Sequence, residues 1–203
     1  ALTIIQAVPV LAGATVPVFV ITNGAAVSMR DLTIRHGGGS EGAGVRVVDG
    51  DLDLVDVTVL DNQADIRGGG IFVGANSTLK AVRCDISSNT VANGSGGGIY
   101  ADGAVELVDT TVFGNIAYEP SADAKGGGVT ALGSLILRRC TVDLNHVWAS
   151  DSDESATGGG VHFGGTNLLI EDSSILNNTA TGDPSYGGGL AFRGSAPAVV
   201  RHT

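Results

Sequence analysis

Apolar residues in this chain fall at every second position, in runs too short for helices. Between Gly128 and Asn145 they are Val129 and Ala131, then Leu135 and Leu137, then Cys140 and Val142. Period two is the signature of a strand with one buried face. The pattern returns at Leu52, Leu54, Val57 and Val59, at Val105, Leu107, Thr110 and Val112, and at Leu168, Ile170, Ser173 and Ile175. Each cycle predicts three short strands with corners between them.

Glycine and asparagine punctuate the cycle. Triplets of glycine end at Gly70, Gly98, Gly128, Gly160 and Gly189, and each is followed by Ile71, Ile99, Val129, Val161 or Leu190. A weaker copy, Gly42-Ala43-Gly44-Val45, precedes them. An [Ile/Val]-x-x-Asn motif follows every triplet but the last and also precedes the first, giving Asn62, Asn89, Asn115, Asn145 and Asn178. An anchor two residues before the motif's Ile or Val defines the series Leu2, Leu32, Val57, Cys84, Thr110, Cys140, Ser173, Thr203, with steps of 25–33 residues. A fixed period with no helical stretch predicts an all-β solenoid, a right-handed parallel β-helix of about seven turns. At one strand spacing per turn the stack is roughly 34 Å long. The motif Leu135-x-Leu137-x-x-Cys140-x-Val142 also fits a leucine-rich repeat. That fold returns on a helix or comparable segment, whereas here the return carries Gly-Gly-Gly and a second alternating strand. Residues 1–203 read as a single β-helix segment, with both ends expected to continue or to stack on a partner.

Stacking turns places equivalent letters in columns. The asparagines are expected at a left-handed corner, which Asn and Gly tolerate best, with their amides bonded along the axis as a ladder. The residue before each anchor reads Asp31, Asp56, Arg83, Asp109, Arg139, Asp172, His202, an outward column in which Arg83 and Arg139 lie between acids. Cys84 and Cys140 share one register position two turns apart, too far for a disulfide, and are expected to be inward, inert thiols.

Composition narrows the function classes. Net charge is −10 and no basic stripe exists, which disfavours nucleic acid and anionic membrane surfaces. No stretch is long and apolar enough for a membrane span. Glycine, 32 of 203 residues, lacks the collagen period, and 43% apolar content argues against disorder.

The pairing of Gly-Gly-Gly-[Ile/Val/Leu] with [Ile/Val]-x-x-Asn, literal at Gly96-Gly97-Gly98-Ile99-Tyr100, resembles the repeats of bacterial surface and secreted β-helix proteins with pectin-lyase-like folds. It is similar to the Gly-Gly-Ala-[Ile/Leu/Val] and Phe-x-x-Asn repeats of polymorphic outer-membrane proteins, with Ile or Val here in place of Phe and Gly in place of Ala. The resemblance covers nearly all of the chain from Leu32 onward. It implies an extracellular or cell-surface passenger, often adhesive, and carries over no catalytic residue.

Length variation concentrates between each Asn and the next triplet, in 63–67, 90–95, 116–125, 146–157 and 179–186. Such an edge is free of packing constraint. These connections hold Tyr118, Trp148 and Tyr186. They lead into the strand after the glycines, whose outward column is Arg46, Phe72, Tyr100, Thr130, His162, Ala191. Loops and column are expected to border one groove. Phe72, Tyr100, His162, Tyr118, Trp148 and Tyr186 are its candidate ligand-binding residues, because exposed rings stack on the apolar faces of sugars. The bland alternative is that Phe72 and Tyr100 stack on each other and Trp148 folds back as a lid. Asp151, Asp153 and Glu154 form the one candidate metal cluster, for calcium. They lack any EF-hand or glycine-rich nonapeptide pattern, and a solvated acidic loop is the simpler expectation. No cofactor motif appears.

The expected function is a non-catalytic surface or secreted scaffold, adhesin-like, with glycans as ligands. One alternative is a structural fibre unit whose ends stack on copies of itself. Another is a polysaccharide lyase or hydrolase using His146, His162, Lys125, Asp151 or Glu154. The paired-acid and Gly-His-Gly signatures of such enzymes are missing.

Overall fold

The computed structural model describes residues 3–7, 15–150 and 154–201. Anchors Leu2 and Thr203, column member His202, and the candidate metal ligands Asp151 and Asp153 lie outside the described residues. No helix occurs among the described residues, and every strand pairing is parallel. The chain winds as a parallel β-solenoid of about seven turns with three seven-stranded sheets.

The first sheet collects the strands that follow the glycines, among them Val45–Val47, Ile71–Val73, Ile99–Ala101, Val129–Ala131 and Val161–Phe163. The second holds Gly50–Val55, Thr78–Val82, Ala104–Val108, Ser134–Arg138 and their equivalents. The third holds Thr58–Leu60, Asp85–Ser87, Thr111–Phe113, Thr141–Asp143 and theirs. Registers run letter over letter, as the repeat requires: Leu79 pairs with Leu52 and Val105, and Tyr100 with Phe72 and Thr130. The alternate residues Ile71, Val73, Leu79, Ala81, Cys84 and Ile86 all point into one continuous core. A single turn has no second apolar layer, so each is covered by its neighbours. Among the described residues Phe163 is the one large ring fully inside, stacked on Phe192 at 5.5 Å.

The asparagine file is a ladder. Asn115 Oδ1 accepts from the Asn89 backbone N (2.9 Å) and from Asn89 Nδ2 (3.0 Å). Its own Nδ2 donates to Ile86 O (2.8 Å) and to Asn145 Oδ1 (2.9 Å). Asn62, Asn89 and Asn145 repeat the scheme, Asn178 accepts the last rung, and the first four asparagines are 0% exposed. Full satisfaction is what makes a buried amide column stabilising.

The backbone reason expected for this column is wrong. The left-handed residues are those just before the column: His36 ahead of Gly37, then Asp61, Ser88, Leu144 and Asn177 ahead of asparagines, with φ from 48° to 55°, and Gly114. Asparagine is required for its amide. At the equivalent position of an earlier turn, Gly37 is needed because a Cβ there would lie 1.8 Å from Ala43 O.

The outward charge column also sits at left-handed corners, with φ of 50–56° at Asp31, Asp56, Arg83, Asp109, Arg139 and Asp172. Arg83 grips Asp56 through two bonds (2.8 and 2.7 Å), and Arg139 grips Asp109 likewise (2.7 and 2.9 Å). The Arg83 hydrogen bond holds the Asp56 carboxyl below its usual range, and Arg139 does the same for Asp109. Cys84 and Cys140 are free and buried, and burial pushes both thiols up, which keeps them protonated and unreactive.

The variable connections are more ordered than loops. Gln63–Ala64, Thr90–Val91, Ile116–Glu119, His146–Ala149 and Thr179–Thr181 form a fourth, five-stranded sheet. Ala124–Lys125, Ala156–Thr157 and Ser185–Tyr186 form a fifth, three-stranded one. Ala117, Val147 and Ala149 from the fourth meet Ala124 and Ala156 from the fifth in a small second core. The connections thus build a ridge along one corner of the solenoid.

Candidate functional site

The glycine triplet sets the geometry beside the ridge. Its first glycine is left-handed, as at Gly68 (φ 63°) and Gly158 (φ 69°), where L side chains are strained. Its second and third have no room: a Cβ on Gly69 would sit 2.3 Å from Gly97 O, and one on Gly70 would sit 3.0 Å from the Asn89 amide carbon. The chain therefore bends sharply. The residue just before each triplet comes to face the residue five positions later, on the outward side of the first sheet. Two columns result: Glu41, Arg67, Ser95, Lys125, Thr157, Tyr186, and opposite them Arg46, Phe72, Tyr100, Thr130, His162, Ala191.

In the early turns these columns close on each other through charge. Arg67 donates from Nε to Glu41 (2.9 Å), with a second, shorter contact from its terminal nitrogen, and it also reaches Asp102 at 3.5 Å. Arg46 approaches the same Glu41 at 3.1 Å. The Arg67 guanidinium lies 5.0 Å above the Phe72 ring and 5.2 Å above that of Tyr100. Phe72 and Tyr100 stack at 6.0 Å and 14°. Phe72 is only 6% exposed. Burial raises the Tyr100 phenol, and the charge of Asp102 adds to it.

In the later turns the fifth sheet covers the column. Thr130 Oγ1 donates to Lys125 O at 2.8 Å, and Thr157 Oγ1 and His162 Nδ1 share a hydrogen bond of 2.9 Å. Thr130 and His162 are buried in consequence. Burial, with the nearby charges of Lys125 and Arg193, lowers His162 to about 4, so the ring is neutral at physiological pH.

The six sequence candidates therefore fall into three places instead of one groove. Phe72 and Tyr100 lie under Arg67. His162 lies beneath the fifth sheet, with Tyr186 at that sheet's end, 51% exposed and with Arg193 5.8 Å above its ring. Tyr118 and Trp148 lie on the outer flank of the ridge. They alternate with the inward Ala117, Val147 and Ala149, their rings are 4.9 Å apart at 44°, and Trp148 is 45% exposed. Trp148 thus forms no lid over the column. Polar neighbours frame this pair: Ser150 lies 3.4 Å from the Tyr118 hydroxyl, and Thr181 pairs in register with Trp148.

Glu154 is half-buried, and no group of metal-ligating side chains occurs among the described residues. Burial lowers His146, whose Nδ1 contacts the Thr179 hydroxyl. A separate concavity of about 310 Å³ lies on the outer face of the second sheet, lined by Asp53, Lys80, Glu106 and Ile136 among others. Glu106 in it is held by Lys80 (3.3 Å) and by Arg138 (2.6 Å).

Sequence reasoning passed over Arg67 and Arg193, and it picked out Lys125 and Tyr186 without recognising the pre-glycine column that they share. The signal was available, since the residue before each triplet occupies a fixed register. Comparison with protein-family models finds no match, and comparison with curated proteins and with solved structures finds none either.

Proposed function

We propose that this segment is a non-catalytic β-helix scaffold, secreted or displayed on a cell surface, that binds saccharide on the outer flank of its ridge. The pair of exposed Trp148 and half-buried Tyr118 carries this reading. Two tilted rings on a rigid parallel sheet present a preformed apolar platform, and little side-chain freedom is lost on binding. Hydroxyls from Ser150 and Thr181 stand beside it to meet sugar hydroxyls. The variable connection lengths support the same reading, because they alter the ridge while leaving the solenoid untouched. The surface or secreted location rests on the likeness of the glycine and asparagine repeat to those of bacterial surface β-helix proteins.

Glycan-array binding followed by titration, monitored through the sole tryptophan, tests it. Trp148→Ala and Tyr118→Ala are expected to weaken saccharide binding by about tenfold or more with the thermal midpoint unchanged. Saccharide binding that survives both substitutions contradicts the platform.

A further inference from the structure

One corner residue breaks the rule that its column obeys. Where the third sheet turns into the fourth, the position just before each asparagine reads Asp61, Ser88, Gly114, Leu144 and Asn177, all left-handed. Glycine, asparagine and aspartate carry that backbone at least cost, and a leucine there is strained. Leu144 has φ 53° and its side chain is 52% exposed, so neither the corner nor the core accounts for it. Gly114 occupies the same corner one turn earlier, joined to it through the bond from Gly114 N to Asp143 O. A Cβ on Gly114 would meet nothing within 4 Å. Leu144 therefore borders an open step in the surface. Strained residues that the fold does not require cluster at ligand contacts.

The same turn carries Trp148. Alternation along His146–Ala149 sends Val147 and Ala149 into the small second core and leaves His146 and Trp148 on the outer flank. The neighbouring turns are in register, with Ile116 and Tyr118 on one side and Thr179 and Thr181 on the other. His146 thus lies between the corner and the ring pair. Its Nδ1 contacts the Thr179 hydroxyl, which orients the imidazole and leaves Nε2 as the nitrogen to meet a ligand hydroxyl. Burial alone lowers its pKa, so the ring is neutral and no side-chain charge bears on it. From Trp148 to Leu144 the chain spans at most about 13 Å, more than one sugar ring covers. We infer that the saccharide site is elongated and takes a neutral hexose chain of three or more residues. Tyr118 and Trp148 hold one sugar, His146 and Thr179 hydrogen-bond the next, and Leu144 with Ile116 beside the Gly114 step receives the apolar face of a third. The inference rests on the saccharide-binding reading and adds chain length and a second apolar contact.

Titration with cello- and malto-oligosaccharides of two to five residues, followed through the fluorescence of Trp148, tests this. In one series or both, affinity is expected to rise about tenfold from the disaccharide to the tri- or tetrasaccharide and then to level off. Leu144→Asn gives this corner the residue that the next turn carries at Asn177. It is expected to cancel the rise, to leave disaccharide binding unchanged and to raise the thermal midpoint, because strain is relieved. His146→Ala should weaken the disaccharide and the longer chains alike. Affinity that does not grow with length, or growth that survives in Leu144→Asn, overturns the inference while leaving the Trp148 platform standing. A lowered thermal midpoint in Leu144→Asn would make the leucine a packing residue and overturns it as well. If neither series binds while the glycan array still reports a Trp148-dependent saccharide, the neutral hexose chain is ruled out and the platform stands.

Discussion

The early and late turns of this solenoid share one backbone and differ in how two facing columns are filled. Around Arg67 every charge is spent: Glu41 and Asp102 neutralise the guanidinium, and Phe72 and Tyr100 lie flat beneath it. Around His162 the contact across the bend is a neutral hydrogen bond to Thr157, and Lys125 and Arg193 at its margin act on the Asp123 carboxylate without a close ion pair. The first arrangement closes the columns with charge, and the second closes them with neutral hydrogen bonds. The backbone does not choose between them. The same left-handed glycine begins the bend in both, at Gly68 and at Gly158.

The largest expected effect shows what the halves have in common. Asn89→Ala beneath the early turns and Asn145→Ala beneath the late ones each orphan several buried ladder partners. Each should destabilise by about 3–5 kcal/mol, equally within error, in chemical denaturation. A markedly smaller cost at either site would show that the ladder is not continuous.

The halves should then diverge. Arg67→Ala removes the cover from two rings and leaves Glu41 with Arg46 alone, for a loss of about 1–3 kcal/mol. Lys125→Ala should change the denaturation midpoint by less than about 0.5 kcal/mol. A comparable loss at Lys125 would mean that its charge is held as tightly as that of Arg67.

Acid should act chiefly on the late half. His162 is depressed in the fold, so between its unfolded value and about 4 the unfolded chain binds more protons. Stability from this residue is complete above the unfolded value, near pH 6.5, and is lost as pH falls toward 4. The full loss is at most about 3 kcal/mol. His162→Gln is expected to remove that part of the acid sensitivity, measured as the difference in midpoint between pH 7 and pH 4.5. An unchanged difference would place the histidine in a solvated setting.

Arg83→Ala and Arg139→Ala at the exposed charge column should each shift the denaturation midpoint only slightly, and less at high salt.

What was legible in the sequence follows from what repeats. Asn62, Asn89 and Asn115 recur because a buried amide column tolerates no substitute, so the ladder and the winding could be read from spacing alone. The alternation of Asp56, Arg83, Asp109 and Arg139 was readable for the same reason: one letter per turn, stacked. The fourth and fifth sheets were not. Ile116–Glu119 and His146–Ala149 pair in register although the connections that hold them differ in length, so no fixed period marks them. Their burial signal is carried by alanines such as Ala117, Ala124 and Ala156, which do not stand out in a hydrophobic pattern. The candidate groove was misjudged at two points. Alternation places Phe72 and His162 outward, which they are, but it gives no hint that the bend at Gly68 or Gly158 folds the preceding residue over them. Tyr118 and Trp148 were found by ring type and connection length. Their separation from Tyr186 by the ridge's small core needed the fold.

Double-mutant cycles in the two halves test most directly whether charge is held in close ion pairs in one and only loosely in the other. Glu41→Gln with Arg67→Ala should show a coupling of about 1–3 kcal/mol, and Asp123→Asn with Lys125→Ala a coupling within about 0.5 kcal/mol of zero. Equal couplings in the two cycles would contradict the account.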